Sequence, residues 1–516
     1  MSENTSYDVI VVGSGGGAMT AAYLAQKHGL STVVVEKTGY VGGTSAYSGG
    51  ACWLPGSSVQ RKAGISDSTE GARAFLGALL VDPDAAKVEA FLAESPRLVG
   101  ELLEDEAIDF EWLPFPEYYE GPGRVSWGRS IQPTNLKRGE LPAEVAALVR
   151  PPVELDRLGQ PGRNTLSGGQ SLIARLLWAF TRDGGTVLTG HAVDHLVAEG
   201  AGDEVRVVGV SAATGDGRVE LRASKGVIVA AGGFEHNQAW RSEYGVPGDS
   251  AWSMAPDGTN TGEPIAAARA VGAATALLDQ GWFCPGLEHP DGHGSFTLGF
   301  RSGVIVDASG NRYANECLPY DRFGKEMAKD ASRIPSWFVF DNREGGGLPA
   351  IAMPEGNRAD HLAAGTWVEA DTLAELADKL GLTDLVATVD RFNGFCETGV
   401  DEDFGRGGDE YDTFFAGGDG PNKALVGVHQ APFTAARFVL SDLGTKGGIV
   451  TDADGRALRE DGSAIRGLYA TSNSAANAFG AFYPGPGAPL GTAMVFGSLA
   501  VQHLRRMGPD SPSSGA

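Results

Sequence analysis

Residues 7–36 read YDVIVVGSGGGAMTAAYLAQKHGLSTVVVE. Tyr7 to Val12 is a short, mostly β-branched run, as expected of a parallel strand buried on both faces. Gly13-Ser14-Gly15-Gly16-Gly17-Ala18 follows and fits G-x-G-x-x-G/A. Ala18 to His28 is helical in composition, Gly29 ends that helix, and Thr32 to Val35 is the next strand, ending in Glu36. This order makes a βαβ unit with a dinucleotide site at its first turn. Gly13 permits the tight turn, Gly15 lets backbone approach a pyrophosphate, and Ala18 allows close helix–strand packing. The helix start at Gly16 and Gly17 offers free N–H donors and the positive end of a dipole. Glu36, about twenty residues on, can accept both ribose hydroxyls.

The fingerprint alone does not separate NAD from FAD. Three remote glycine-rich segments argue for the longer cofactor. Gly42-Gly43-Thr44-Ser45-Ala46-Tyr47-Ser48-Gly49-Gly50 places small residues and hydroxyls just after the ribose-binding strand. Residues 226–233 (GVIVAAGG) are a buried strand running into Gly232 and Gly233. Residues 465–491 (IRGLYATSNSAANAFGAFYPGPGAPLG) have the same character and precede a helix whose N-terminus could face a flavin pyrimidine. All three returning to one ligand fit FAD better than NAD.

The rest of the chain bounds the answer. At 516 residues it is long for one core and suggests two domains, one inserted in the other. Lys plus Arg is 41 and Asp plus Glu is 65, a formal charge of −24 that disfavours nucleic acid and anionic lipid. Cys52, Cys284, Cys317 and Cys396 have no zinc or redox spacing and fit a reducing compartment. Met1 to Tyr7 carries no secretory signal, and no apolar run is long enough to span a membrane. The expected location is cytoplasmic, with loose membrane attachment left open. Helices are expected over 67–106, 171–182, 373–379, 385–393 and 488–507, strands over 187–210 and 219–231, and irregular structure over 112–165. The fold class is α/β: a discontinuous Rossmann-like FAD domain over 3–281 and 451–516, an inserted α+β capping domain over 282–450, and a disordered tail over 508–516. His191 and His195 lie in a strand–turn region where their spacing is no ligand pair, and no metal is expected. Asp452–Gly455 and Asp307–Gly310 read as hairpin turns rather than calcium loops.

The glycine segments resemble the fumarate reductase/succinate dehydrogenase type of FAD enzyme and, within it, the 3-ketosteroid Δ1-dehydrogenases. The resemblance covers nearly the whole chain through GGTSAYSGGACWLPG (42–56), FPEYYEGPGR (115–124), LLDQGWFCPG (277–286), NECLPYDRFG (315–324), SDLGTKGGIVTDADGR (441–456) and FYPGPGAPLGTAM (482–494). It implies removal of hydrogen from two adjacent carbons beside a ketone. Donors stabilise the enolate oxygen at C3, a base takes the C2 proton, and hydride leaves C1 for flavin N5. Tyr483 and the Gly487 N–H match the family's two oxyanion donors, and Tyr320 matches its base. Tyr119, second of the pair in PEYYE, matches the tyrosine that hydrogen-bonds the base, with Tyr118 as the alternative. Implied cofactor contacts, beside the fingerprint, are Lys37, Gly43, Thr44, Ser45, Ser48, Gly49, Gly50, Val193, Ala231, Gly232, Asn473, Pro489 and Leu490.

The family usually carries a small residue, Gly, then Asn near 471–473, where this chain has Thr471-Ser472-Asn473. No histidine lies in the 39–50 loop, so the FAD is expected to be non-covalent. The expected partners are a 3-ketosteroid such as 4-androstenedione and a quinone-like electron acceptor. The rivals are a 3-ketosteroid Δ4-(5α)-dehydrogenase, a fumarate-reductase-like enzyme, and a flavin-binding redox sensor without turnover. The second needs a carboxylate-binding arginine and histidine set, and the sequence offers no convincing one. The third gives the tyrosines no reason to co-occur.

Overall fold

The computed structural model describes residues 5–507, so the expected tail, 508–516, lies outside the described residues. The first βαβ unit forms as its sequence dictates: strand Ser6–Val12, helix Gly16–Lys27, strand Thr32–Val35. These strands enter a mixed sheet whose parallel part runs Thr186–Leu188, Thr32–Val35, Ser6–Val12, Gly217–Val229, Ala464–Ala470. The register is the feature that makes a site. Val12 sits opposite Val35 and Val229, and Val229 opposite Ala470. The residues just beyond these strand ends (Gly13, Glu36, Ala230 and Thr471) therefore share the carboxyl edge, where open α/β sheets bind ligands.

The stretch expected as strand over 187–210 is interrupted. It holds Thr186–Leu188, Ala192–Glu199 and the start of Arg206–Thr214, with turns at Gly190 and Gly200 between them. The expected helix over 67–106 is two helices, Thr69–Leu79 and Ala85–Leu102, each begun by its own side-chain cap, Ser68 and Asp84. The 112–165 stretch is not wholly irregular: it contains the strand Ser130–Pro133 and short helices Ala143–Leu148 and Val153–Leu158.

Helix Gly16–Lys27 and the C-terminal helix Ala488–Arg506 cross at backbone contact. A Cβ on Gly17 would lie 2.8 Å from the Ala493 carbonyl oxygen, and one on Gly497 would lie 2.8 Å from that of Gly17. This crossing carries the start of the C-terminal helix to the carboxyl edge of the sheet.

Residues 281–445 build a second, antiparallel sheet in the order Gly281–Leu287, Phe433–Thr445, Ser336–Phe340, Val304–Val306, with Trp367–Ala370 also on Phe433–Thr445. Helices Leu373–Leu380 and Leu385–Thr398 cover one face, where Leu376, Val389 and Phe392 pack on Val304, Val339 and Ala435. On the other side, Phe338, Phe438 and Leu440 join the core that contains Val12, Val35 and Val229. Helix Tyr320–Ala328 packs on strand Gly281–Leu287 and brings Tyr320 against Tyr483. Asp307–Gly310 and Asp452–Gly455 are closed turns, with Asp307 N–H on the Asn311 carbonyl and Asp452 N–H on that of Arg456. Among the described residues, no helix is long and apolar enough to cross a membrane.

Candidate active site

A cavity of about 550 Å³ lies between the carboxyl edge of the parallel sheet and the second sheet. One half is glycine-rich and polar. Gly13 has φ +96°, and a Cβ there would lie 2.5 Å from the Ala230 carbonyl oxygen, so only glycine lets these two strand ends meet. Ser14 ties the edge together. Its hydroxyl donates to Glu36 Oε2 at 2.5 Å and accepts the Gly42 N–H at 2.9 Å. The other Glu36 oxygen accepts the Thr38 N–H and hydroxyl at 2.8 and 2.9 Å, which fixes the carboxylate at the cavity wall.

These residues fit FAD. The cap residue of helix Gly16–Lys27 is Gly15, which has no side chain to accept from the helix start, and no acid stands in its first turn, as a pyrophosphate requires. The Thr44 hydroxyl is buried at the cavity wall with no partner in the protein, so it is available to a ligand. Gly43 and Gly49 face open space where a side chain would stand. Gly15, Lys37, Ser45, Ser48, Gly50, Val193, Ala231, Gly232, Asn473, Pro489 and Leu490 also line this cavity.

Gly16, Gly17 and Ala18 do not line it. Gly16 donates its N–H to Ser45 Oγ at 3.0 Å, Gly17 makes the helix crossing, and Ala18 is buried in the core. Sequence reasoning missed Asn260 and Thr261, which face the same half from a loop, and Glu263, which opens the helix Glu263–Ala270 after it. Lys37 reaches that loop, donating to Thr261 Oγ1 at 2.9 Å. His191 lines the cavity, with Nδ1 on the Thr189 carbonyl at 2.7 Å, while His195 is exposed beside Asp194.

The other half of the cavity is apolar and aromatic. Leu113, Phe115, Phe296, Leu298, Met353 and Leu443 line it together with Tyr118, Tyr320 and Tyr483. The Tyr320 hydroxyl donates to the Tyr483 hydroxyl at 2.7 Å. The Tyr118 ring is 5.3 Å from that of Tyr320 and 5.0 Å from that of Tyr483. Its hydroxyl is buried without a hydrogen-bond partner, close enough to Tyr320 to favour that residue's ionisation.

Tyr119 is elsewhere. It packs on Phe482 and under the Arg322 guanidinium, 5.1 Å from its ring centre, outside the cavity. The pair member in the cavity is thus Tyr118, and the placement expected of Tyr119 is corrected. Distant contacts set the orientation of this bend: Tyr118 donates its N–H to the Pro484 carbonyl at 3.0 Å, and its own carbonyl accepts from Arg322 at 3.1 Å.

Gly487 caps the C-terminal helix at φ +83°, where a Cβ would collide with the Ala51 carbonyl oxygen at 2.1 Å. Its N–H lies beside the Tyr483 hydroxyl and favours ionisation there, as does the Tyr320 hydroxyl. Burial outweighs both, so the phenols of Tyr483 and Tyr320 titrate above their ordinary value, Tyr320 far above. Asn473 stands at the junction of the halves, its side-chain oxygen accepting from Trp282 Nε1 at 3.0 Å. Ser472, in the place of the family's usual glycine, has φ +59° and so meets the glycine-like conformation with a serine.

Residues 8–490 match the FAD binding domain family. A 3-oxosteroid 1-dehydrogenase of Mycobacterium tuberculosis is 37% identical, over 96% of this chain and 98% of that protein. The chain belongs to the 3-oxosteroid 1-dehydrogenase family. It is an FAD-dependent oxidoreductase of that family. The crystal structure of the Sterolibacterium denitrificans 3-ketosteroid Δ1-dehydrogenase in complex with 1,4-androstadiene-3,17-dione superposes with a TM-score of 0.89. It is 30% identical and covers 97% of this chain and 99% of that one. A 4-oxocyclohexanecarboxylate 2-dehydrogenase of Sinomonas cyclohexanicum is 33% identical over 96% of this chain and 92% of its own length. The 3-oxosteroid 1-dehydrogenase family thus has a near relative named for a small, charged ketone.

Proposed function

We propose that the protein introduces the 1,2-double bond into 3-ketosteroids. One observation carries this reading. The Tyr320–Tyr483 hydroxyl pair, 2.7 Å apart, stands beside the Gly487 N–H in an apolar chamber. Tyr483 and Gly487 donate to the ketone oxygen and hold the charge that develops there. Tyr320 stands one hydroxyl away, where the carbon next to the carbonyl falls, and takes its proton. Tyr118 supplies its free hydroxyl to the oxygen of Tyr320 as that group becomes charged. Bound FAD supplies the two-electron acceptor for the hydride from the neighbouring carbon. The electrons pass on to a separate acceptor of quinone-like chemistry. In this reading 3–281 and 451–516 hold the cofactor, while 282–450 contributes Tyr320 and covers the substrate.

The chamber favours a steroid over a carboxylated cyclohexanone. Among the described residues lining the cavity, Lys37 is the one lysine and there is no arginine. Lys37 is at the cofactor half, engaged with Thr261 and Glu263. A carboxylate taken into the apolar half would lose its water without gaining a cation. Dye reduction with 4-androstenedione and with 4-oxocyclohexanecarboxylate tests this. Turnover is expected with the first alone, and preference for the second overturns the substrate assignment.

A further inference from the structure

Lys446 is buried one layer behind the tyrosines and does not line the main cavity. Its Nζ is 3.1 Å from Asp321 Oδ1, donates to the Ala481 carbonyl at 2.9 Å, and lies 4.4 Å from the centre of the Trp282 ring. Lys325 pairs with the other Asp321 oxygen at 2.7 Å and donates to the same carbonyl at 2.7 Å. Each partner is next to a working residue. Asp321 follows Tyr320 in the first turn of its helix, and Ala481 precedes Tyr483 by two positions. Trp282 packs edge-on against Tyr483 at 4.9 Å and holds Asn473 through its Nε1–H.

We propose that Lys446 is a positioning residue for proton abstraction: it clamps the Tyr320 helix to the Tyr483 loop and places positive charge behind the oxygens that become negative. The inference rests on the function proposed above. A buried ion cluster is seldom the cheapest way to fill a core. Burial also opposes the charge on Lys446, lowering its pKa to about 7, and the Asp321 contact acts against that loss. Asp321 itself disfavours ionisation of Tyr483. Two lysines on that one carboxylate offset its negative charge. Other ionisable neighbours include Lys87, which faces Lys446 across a separate cavity of about 20 Å³, Cys284 beside Tyr483, Tyr119 beside Asp321, and Tyr118 and Tyr411 around Tyr320.

The test uses the FAD-loaded enzyme with Lys446→Met and Lys446→Met/Asp321→Asn. FAD content, binding of 1,4-androstadiene-3,17-dione as an unreactive probe, and kcat with 4-androstenedione are measured. In the single variant, FAD and probe binding should stay within about twofold while kcat falls about 10²-fold, the scale of a small misplacement of reacting groups. Neutralising the carboxylate, which Lys325 alone still pairs, in the double variant should recover about tenfold but not all of kcat, because Lys446's own tie to Ala481 is gone. Should the single variant not fold, the double, which leaves no bare carboxylate, decides alone. Reduced kcat with intact binding supports the assignment. Wild-type kcat in either variant overturns it, as does a fall in kcat matched by lost FAD or lost probe binding. A wild-type enzyme that turns over no 3-ketosteroid sinks the functional reading first, and this inference with it.

Discussion

Replacing Tyr118 by Phe removes one oxygen from the chamber and should separate activity from stability. That oxygen is buried and has no hydrogen-bond partner in the folded protein, while its ring packs on those of Tyr320, Tyr411 and Tyr483. Loss of an unsatisfied buried hydroxyl costs the fold nothing, and unfolding free energy should hold or rise by about 1 kcal/mol. In the reaction the same hydroxyl faces a developing charge on Tyr320. A hydrogen bond to a charged group is worth about 1.5–3 kcal/mol, so kcat should fall about 10- to 10²-fold. Tyr119→Phe, whose ring lies outside the cavity against Phe482 and Arg322, should stay within about twofold of wild type on the same energy scale. The assay is steady-state dye reduction beside thermal unfolding, both on FAD-loaded protein. A larger kcat loss for Tyr119→Phe than for Tyr118→Phe would refute the placement argument.

Tyr483→Phe should lower kcat about 10²-fold or more while KM changes less, measured in the same dye assay, because one donor to the developing oxyanion is lost. Burial holds the Tyr320 phenol far above its ordinary value, so the base form is scarce at neutral pH and grows with each pH unit. kcat/KM should therefore rise from neutral into mildly alkaline pH in wild type, less steeply once Lys446 loses its charge above about pH 7, and a flat profile speaks against a phenol base. Glu36→Ala should weaken FAD binding about 10- to 10²-fold by removing the ribose acceptor, as read by fluorescence titration. Acid or heat should release free FAD from wild type, and flavin that stays with the precipitate contradicts non-covalent binding. Burial raises the pKa of Glu235 to about 7, so its neutral form favours folding. That stability is present in full below pH ~4 and is lost as pH rises through about 7, so Glu235→Gln should gain roughly 3 kcal/mol on wild type between pH 4 and 8 in urea unfolding.

The cofactor half was largely legible because its first part is local in sequence and its remote parts are each marked by glycines. Residues 7–36 hold strand, turn, helix and acid together, and the close approaches need glycine whatever surrounds them. What the fingerprint does not tell is direction: Gly16 donates its N–H to Ser45 Oγ, Gly17 packs on Ala493, and Ala18 packs in the core as the fingerprint expects. Tyr118 and Tyr119 could not be told apart because they lie in an irregular bend and nothing in PEYYE marks which of the two turns inward. Contacts with Pro484 and Arg322 decide it, both more than two hundred residues away. Lys446 and the Asn260–Glu263 stretch were invisible for the same reason. Lys446 carries no motif of its own, and its partners Asp321 and Ala481 meet it only through the fold.

The central claim is the position of the new double bond, and a saturated substrate tests it most directly. The FAD-loaded enzyme is given 5α-androstane-3,17-dione without oxygen, and the product is identified by nuclear magnetic resonance. The account predicts bleaching of the flavin and a 1-ene product, with vinylic protons at C1 and C2. A 4-ene product, or an unbleached flavin with the steroid recovered unchanged, would contradict it.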